Sequence, residues 1–476
     1  MTDRARRAWQ ALALPLGIYL ATRLVQVLLV WWMVPERTFD AATSRLTSWD
    51  VGWFVRVAQE GYPAGYTYDE QGHVAANGLA FFPGYPLLVR LGQAVTGASF
   101  ESAALIVSWL VGVVAALLVY ALGARLYDRR VGIALLALFS TQPMAVVLSM
   151  GYSEGLFVVF AAGALLAAHR GSWLAAGALG LGAALTRPIG AAVGVALAVA
   201  ALLEVRAIAR ARASAADPPG KLAAPAAPAA PAVGGPVVGA PAGSVAGNPA
   251  DEPAGAESAA GAPAIDESTA GGSTPDAVAA EPSGGATGAG SDVDRPRTAA
   301  GSAATRPGSP ANPWVPVLAA LVALAGTPAY LLWVGVRAGS LSAWFDIQTA
   351  GWGTSFDFGG AVIAFLGNAF KSEGWVEVSV SWIVLAALLL GGLAVLRGVW
   401  PPLLVYGLLT LVAVLGQAGF YHSKPRLLVP VLAILVPMAL ALGRARPSTA
   451  IAVLVGTGLF GLWYGSYLIT VWPFAI

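Results

Sequence analysis

The chain contains no cysteine, only three histidines and very little charge. Without thiols, disulfides and thiolate metal centres are excluded. Charged residues make up 11% of the 476 positions, against about 25% in a soluble globular chain. There is too little charge to cover a water-facing surface of this size. The net charge is only +2, so no basic excess points to nucleic acid. The sequence also lacks a phosphate-cradling glycine loop, a serine-nucleophile elbow and a metal-binding helix motif. The first apolar run is too long for the apolar region of a signal peptide and has no convincing cleavage site, so a retained span is predicted there.

What is present is hydrocarbon: 57% hydrophobic residues and 16 tryptophans, with a mean hydropathy of +0.70. Apolar runs recur near the length of about 20 residues that crosses a bilayer core of about 30 Å. The fold class read from this pattern is an all-α polytopic membrane protein with about eleven transmembrane helices. The spans fall at 9–34, 103–122, 131–148, 156–168, 173–185, 189–203, 314–336, 378–396, 401–417, 427–442 and 450–471. Three parts follow. Residues 1–212 form an N-terminal transmembrane part with a long first external loop at 35–99. Residues 213–313 are rich in Ala, Pro, Gly and Ser without a Phe, Trp or Tyr, and read as a disordered cytoplasmic linker. Residues 314–476 form a C-terminal transmembrane part. Within the first loop, Leu79–Val95 is apolar but carries Pro83 and Pro86, which suits an interfacial or re-entrant helix better than a span. Residues 361–370 read the same way.

Charge asymmetry gives the orientation. Arg4/Arg6/Arg7, Arg125/Arg129/Arg130, Arg170, Arg206/Arg210/Arg212, Arg397 and Arg444/Arg446 fall on one side of this topology, which by the positive-inside rule is the cytoplasm. The acids outside the linker collect on the other side, Asp50, Glu154, Asp346 and Glu377 among them, with only Asp3, Asp128 and Glu204 falling on the cytoplasmic side. A cytoplasmic N-terminus and an external C-terminus result, in the plasma (inner) membrane.

The chemistry is expected on the external face. Asp50 stands between Trp49 and Trp53, just beyond span one, and a carboxylate there can accept a proton from a hydroxyl. The flanking aromatics on their own read as membrane anchors. Tyr421-His422-Ser423-Lys424-Pro425-Arg426 gathers cations on the side where flanking cations are not expected, and Arg187 in Thr186-Arg187-Pro188 does the same. Arg and Lys suit a phosphate. Glu154 reads equally as a helix cap or as a site residue. Arg56 is open between a donor phosphate and a lipid headgroup. Asp69-Glu70 with His73 reads as a solvated loop, with a divalent metal as the sharper alternative. Arg23, with Gln26 one turn on, is an intramembrane cation, either functional or paired for packing.

Taken together, Trp49-Asp50 through Phe54, Phe81-Phe82-Pro83-Gly84-Tyr85-Pro86, Tyr152-Ser153-Glu154, Thr186-Arg187-Pro188-Ile189-Gly190 and His422-Ser423-Lys424-Pro425-Arg426-Leu427 resemble the PIG-V family. This family comprises GPI mannosyltransferase 2 and bacterial relatives, within the GT-C membrane glycosyltransferases. The resemblance implies a GT-C-like fold and an inverting transfer of mannose from polyprenyl-phosphate mannose, with Asp50 as the catalytic residue. Arg187, His422, Lys424, Arg426, Glu154, Trp49, Arg56 and Tyr85 are the implied donor-phosphate and substrate contacts. The acceptor expected is a lipid or cell-envelope glycan. No cofactor is implied, and a divalent metal is left open. One departure is Arg187-Pro188-Ile189-Gly190, where eukaryotic members tend to have Arg-Ser-Asn-Gly, and acceptor contacts there are expected to differ. The alternatives are another sugar, a protein acceptor, or a lipid-linked-sugar flippase or transporter, which would concentrate polar groups mid-membrane.

Overall fold

The structure is a computed structural model and describes residues 3–216 and 312–476, with side chains over 12–213 and from Asn312 onward. The expected linker at 213–313 lies almost wholly outside the described residues. At its edges a helix continues to Ala216 and another begins at Trp314.

The described residues are helical throughout apart from one short hairpin, as the apolar composition demands: in lipid every backbone N–H and C=O must be satisfied within its own segment. Six helices are long and apolar enough to cross a membrane. They are α1 (Asp3–Met33, apolar from Leu12), α5 (Phe100–Leu126), α9 (Gly190–Ala216), α10 (Trp314–Ala338), α13 (Trp375–Leu396) and α17 (Pro447–Thr470). Helices α15 (Lys424–Leu428) and α16 (Leu432–Arg444) belong to a pair bent by 60°, which as a single broken span brings the number to seven. The expected eleven crossings are therefore not reproduced. Helices α6 (Arg129–Thr141), α7 (Glu154–His169), α8 (Trp173–Ala184) and α14 (Pro401–Leu415) stand where spans were expected but have 13, 16, 12 and 15 residues. At 1.5 Å per residue all four fall short of a bilayer core of about 30 Å.

The breaks have identifiable causes. Pro143 cannot donate, and it drives Gln142 into an extended conformation (φ −58°, ψ 155°), so α6 stops at Thr141 and only a 3₁₀ turn at Ala145–Leu148 follows. Between α15 and α16, Pro430 likewise lacks an N–H, but Val429 before it stays in the right-handed helical region (φ −52°, ψ −42°). At the first break the freed carbonyls are not left bare. Arg23 of α1 is buried and donates from Nη1 to the Ala145 carbonyl (2.6 Å) and the Ser149 hydroxyl (3.1 Å), and from Nη2 to the Ser140 carbonyl. Gln142 Nε2 donates to the Phe139 (3.3 Å) and Val429 (3.0 Å) carbonyls. Gln26 Nε2 donates to the Leu462 carbonyl and the Ser466 hydroxyl of α17, at 2.9 and 2.6 Å. Of the two readings open for Arg23, packing through backbone carbonyls is the one observed.

The first loop is built rather than open. It holds α2 (Phe39–Leu46), α3 (Asp50–Glu60), a hairpin of β1 (Thr67–Tyr68) with β2 (Val74–Ala75), and α4 (Gly84–Thr96). Pro83 caps α4 and Pro86 lies in its first turn, where the missing N–H costs nothing. Leu87, Leu91 and Val95 stay exposed at a spacing of four on one face of α4, as an interfacial helix requires. In the C-terminal half, α12 (Gly360–Ala369) matches the expected interfacial helix. Helix α11 (Ala343–Trp352) was not anticipated.

Replacing Arg23 by Leu unpairs the carbonyls at the α6 break and is expected to cost on the order of 2–4 kcal/mol. Thermal unfolding of detergent-solubilised protein checks this: a markedly lower Tm for Arg23→Leu, with Arg23→Lys in between, is the expected order.

Candidate active site

Breaks between helices deliver the site residues. Trp49 has φ +59°, a left-handed turn unusual for a large side chain, and this reversal separates α2 from α3 and sets Asp50 in the first turn of α3. Glu154 opens α7 after Ser153. Thr186-Arg187-Pro188 fills the break between α8 and α9. Lys424 and Arg426 occupy the short α15, after the 3₁₀ turn Tyr421–Ser423.

The geometry of these side chains is one chain of alternating charge. Arg426 Nη1 donates to Asp50 Oδ2 at 2.8 Å. The Nε of the same guanidinium lies 3.7 Å from Glu154 Oε1. Arg187 Nη1 lies 2.7 Å from that oxygen and donates to Ser153 Oγ at 3.0 Å. The order is thus Asp50, Arg426, Glu154, Arg187. Glu154 has no exposed side-chain surface, while Asp50 keeps 17% of its own. The Arg426 guanidinium lies 5.1 Å over the Tyr152 ring, which adds a cation–π contact. Burial pushes the Tyr152 phenol well above its ordinary value and the Asp50 charge adds to the effect, so this ring stays neutral.

Asp50, Arg187, Lys424 and Arg426 line a single cavity of about 640 Å³, a size suited to a small ligand or a headgroup. Lys424 differs from the two arginines. Its Nζ donates to the Val414 carbonyl (2.9 Å) and to the Gln417 carbonyl, at the C-terminal end of α14. Among the described residues no carboxylate lies within salt-bridge distance of it; burial pushes its ammonium down to about 8, and Asp357 offsets part of this at longer range. Its positive charge therefore remains available to an anion in the cavity, whereas both arginines are matched by acids. The walls are largely apolar. Phe81, Trp344 and Trp352 line the cavity, with Phe81 and Trp352 edge to face at 5.3 Å, and Leu331 of α10 packs in the same apolar cluster. Val195 of α9 and Leu409 of α14 add further apolar lining from the helices.

The remaining expected contacts do not line the cavity. Glu154 sits behind Arg187 and Arg426. Tyr85 is buried, with its hydroxyl 2.9 Å from the Ala104 carbonyl and 2.7 Å from Ser108 Oγ, and its ring edge-on to Phe54. Arg56 is exposed and stacks over Trp53 at 5.0 Å. Trp49 serves the turn before α3. His422 is buried among Phe420, Tyr421 and Phe474. Asp69 spends its carboxylate on the hairpin turn, accepting from the Gln71 and His73 amides at 3.0 and 2.8 Å. No group of three or more His, Asp or Glu converges among the described residues. The aromatic wall from α11 and the helical extension of the cavity were not foreseen. Phe81 was within a quoted motif, but nothing local in the sequence signals that Trp344 and Trp352 meet it.

The Phe-Pro-Gly-Tyr-Pro motif gains a reason here. The Gly84 amide donates to the Leu185 carbonyl at 2.8 Å, and a Cβ on Gly84 would lie 2.6 Å from Thr186 Oγ1. The start of α4 is thus packed directly on the break that carries Arg187. Gly84→Ala is expected to push that break away and cost about 1–3 kcal/mol. A double substitution with Thr186→Ala should recover part of the loss, and comparing the Tm values of the two proteins checks it.

Residues 34–196 match the family described as Mannosyltransferase (PIG-V). No curated protein matches the chain. Among solved structures, the chain is similar to the oligosaccharyltransferase of Archaeoglobus fulgidus in complex with zinc and sulfate. The identity is 12% and the TM-score 0.41, covering 95% of this chain and 52% of that one. It is similar also to the oligosaccharyltransferase AglB of the same organism in complex with an inhibitory peptide and a dolichol-phosphate. Here the identity is 12% and the TM-score 0.42, covering 95% and 56%. The chain spans about half the length of these proteins, and at this TM-score the likeness carries no functional argument.

Proposed function

We propose, from the premise that residues 34–196 make this chain a member of the PIG-V mannosyltransferase family, that it is a membrane mannosyltransferase of the GT-C class. It moves mannose from polyprenyl-phosphate mannose to a hydroxyl of a lipid or cell-envelope glycan on the extracytoplasmic side. The observation that carries this reading is the cavity in which a carboxylate, Asp50, faces a cation without a carboxylate partner, Lys424, between apolar helical walls.

The chemistry follows from charge. The acceptor oxygen attacks the anomeric carbon of mannose. Its proton passes to the Asp50 carboxylate. The bond from the anomeric carbon to the phosphate oxygen breaks on the opposite face, with its electron pair going to that oxygen. One displacement inverts the anomeric centre. The departing polyprenyl phosphate gains a negative charge, and Lys424 stabilises it as it forms. The arginines contribute the surrounding positive potential and hold the two acids. The prenyl tail fits the apolar extension along Val195, Leu331 and Leu409, on α9, α10 and α14. The orientation follows from the arginine clusters: the connections that carry them alternate along the chain with those that carry the site.

Purified protein in nanodiscs, given synthetic polyprenyl-phosphate mannose and membrane-extract acceptors, tests the base directly. Asp50→Asn is expected to lose about 10²–10⁴-fold in turnover, and transfer at the wild-type rate would remove Asp50 from this role. Lys424→Gln is expected to raise the donor KM by about ten- to a hundredfold, the scale of one charge-assisted contact of about 1.5–3 kcal/mol. An unchanged donor KM would place the phosphate elsewhere.

A further inference from the structure

The charge chain contains a mismatch that the proposed reaction does not use. Both Glu154 oxygens and Arg426 Nε are buried without a hydrogen-bond partner. The 2.7 Å approach of Arg187 to Glu154 is charge against charge at an angle that is not a hydrogen bond's. The unpaired Nε of Arg426 and the unpaired Glu154 Oε1 face each other at 3.7 Å. They are complementary, a donor and a charged acceptor, and a closing movement of less than about 1 Å makes them a charge-assisted bond. Meanwhile Arg426 is held by its other arm to Asp50. That bond occupies Oδ2, so the guanidinium has to move aside before this oxygen can accept a proton.

We propose that Glu154 is a positioning residue that receives the Arg426 guanidinium when Asp50 releases it, leaving Asp50 free to take the acceptor's proton. The inference rests on the reading of Asp50 as the base. Glu154 is suited to the part because it does not line the cavity and so does not compete with substrate. Its position is fixed at the start of α7, and it is already held by Arg187. The guanidinium slides over the Tyr152 ring, whose face attracts a cation at either end of a short movement. The other groups facing this chain are Tyr85 from α4, Tyr406 from α14, His422 from the 3₁₀ turn before α15 and Lys424 from α15. None of them is an anion that could receive the guanidinium instead. Buried polar atoms without a hydrogen-bond partner are costly at rest, and the handover pairs two of the three, Arg426 Nε and Glu154 Oε1, at the stage when Asp50 must act.

The test uses the full chain in nanodiscs with polyprenyl-phosphate mannose, comparing wild type, Glu154→Gln, Glu154→Asp and Asp50→Asn. Glu154→Gln removes the receiving charge but keeps the shape. It also frees Arg187, adding a cation to the cavity. The expected result is a kcat lower by about 10²-fold, with a donor KM unchanged or lower. Glu154→Asp keeps the charge that Arg187 needs for folding but is one methylene too short to reach Arg426. It is expected to lose about tenfold in kcat at a wild-type Tm, which keeps the proposal testable if the Gln variant does not fold. Wild-type kcat in a folded Glu154→Asp or Glu154→Gln protein overturns the proposal. So does a loss confined to donor KM, which would make Glu154 a substrate contact. If wild type transfers mannose and Asp50→Asn does not, either of these results sinks the handover alone. If Asp50→Asn remains active, the functional reading fails and the handover fails with it.

Discussion

A charge inside a membrane protein must be answered within the protein, and the site depends on how four such charges answer one another. Asp50, Arg426, Glu154 and Arg187 come from four separate breaks in the helical pattern, and together they are neutral. Removing any one leaves its neighbour buried and uncompensated, the most expensive situation a polar group meets in a low-dielectric interior. The arrangement therefore holds the first loop, the α7 entrance, the α8–α9 break and α15 in register. These are the segments whose alignment the cavity needs.

The same logic governs the helix breaks. Each helix end frees carbonyls, whether a proline makes it, as after α6, or not, as after α14, and in hydrocarbon those carbonyls need donors. At α6 the donors are Arg23 and Gln142; at α14 the C-terminal carbonyls meet Lys424. The second case has a functional side. An ammonium that rests on carbonyls is desolvated and fixed but not neutralised, so it retains its attraction for an anion. A carboxylate in the same place would have satisfied the lysine and cancelled its charge. Arg23 and Lys424 both donate to carbonyls; what separates them is that Lys424 also lines the cavity and Arg23 does not.

Much of this was legible in the sequence. The scarcity of charge with the length of the apolar runs gives the helical membrane class, and Pro83 with Pro86 marks α4 as interfacial. The residues quoted from each break, Asp50, Glu154, Arg187, Lys424 and Arg426, meet around one cavity. Other features were not legible. Helices α6, α7, α8 and α14 were read as crossings because hydropathy does not distinguish a short helix buried in the bundle from one that spans: Ala, Gly and Leu suit both. The short helices α2, α3 and α11 escaped notice because their apolar faces are too brief to set a period. Pairing is less visible still. Arg426 and Asp50 lie 376 residues apart, and nothing local says that a cation suited to a phosphate is already committed to an acid.

That commitment changes what the cationic cluster means. Read as a linear motif, His422-Ser423-Lys424-Pro425-Arg426 looks like one phosphate cradle. In three dimensions its members part company. His422 is buried in an aromatic nest, Arg426 is bound to Asp50, and Lys424 lines the cavity with no acid within salt-bridge distance. A short segment can serve three purposes because α15 is only one and a half turns long and is entered through a 3₁₀ turn. Successive side chains therefore point in divergent directions instead of lining one face. Proline at position 425 fixes that geometry: it sits in the first turn of α15, where it starts the helix without losing a bond, and it keeps Lys424 and Arg426 aimed at different partners. The economy of the site lies in this divergence, since a single rigid turn sets both the lysine that rests on carbonyls and the guanidinium that binds Asp50.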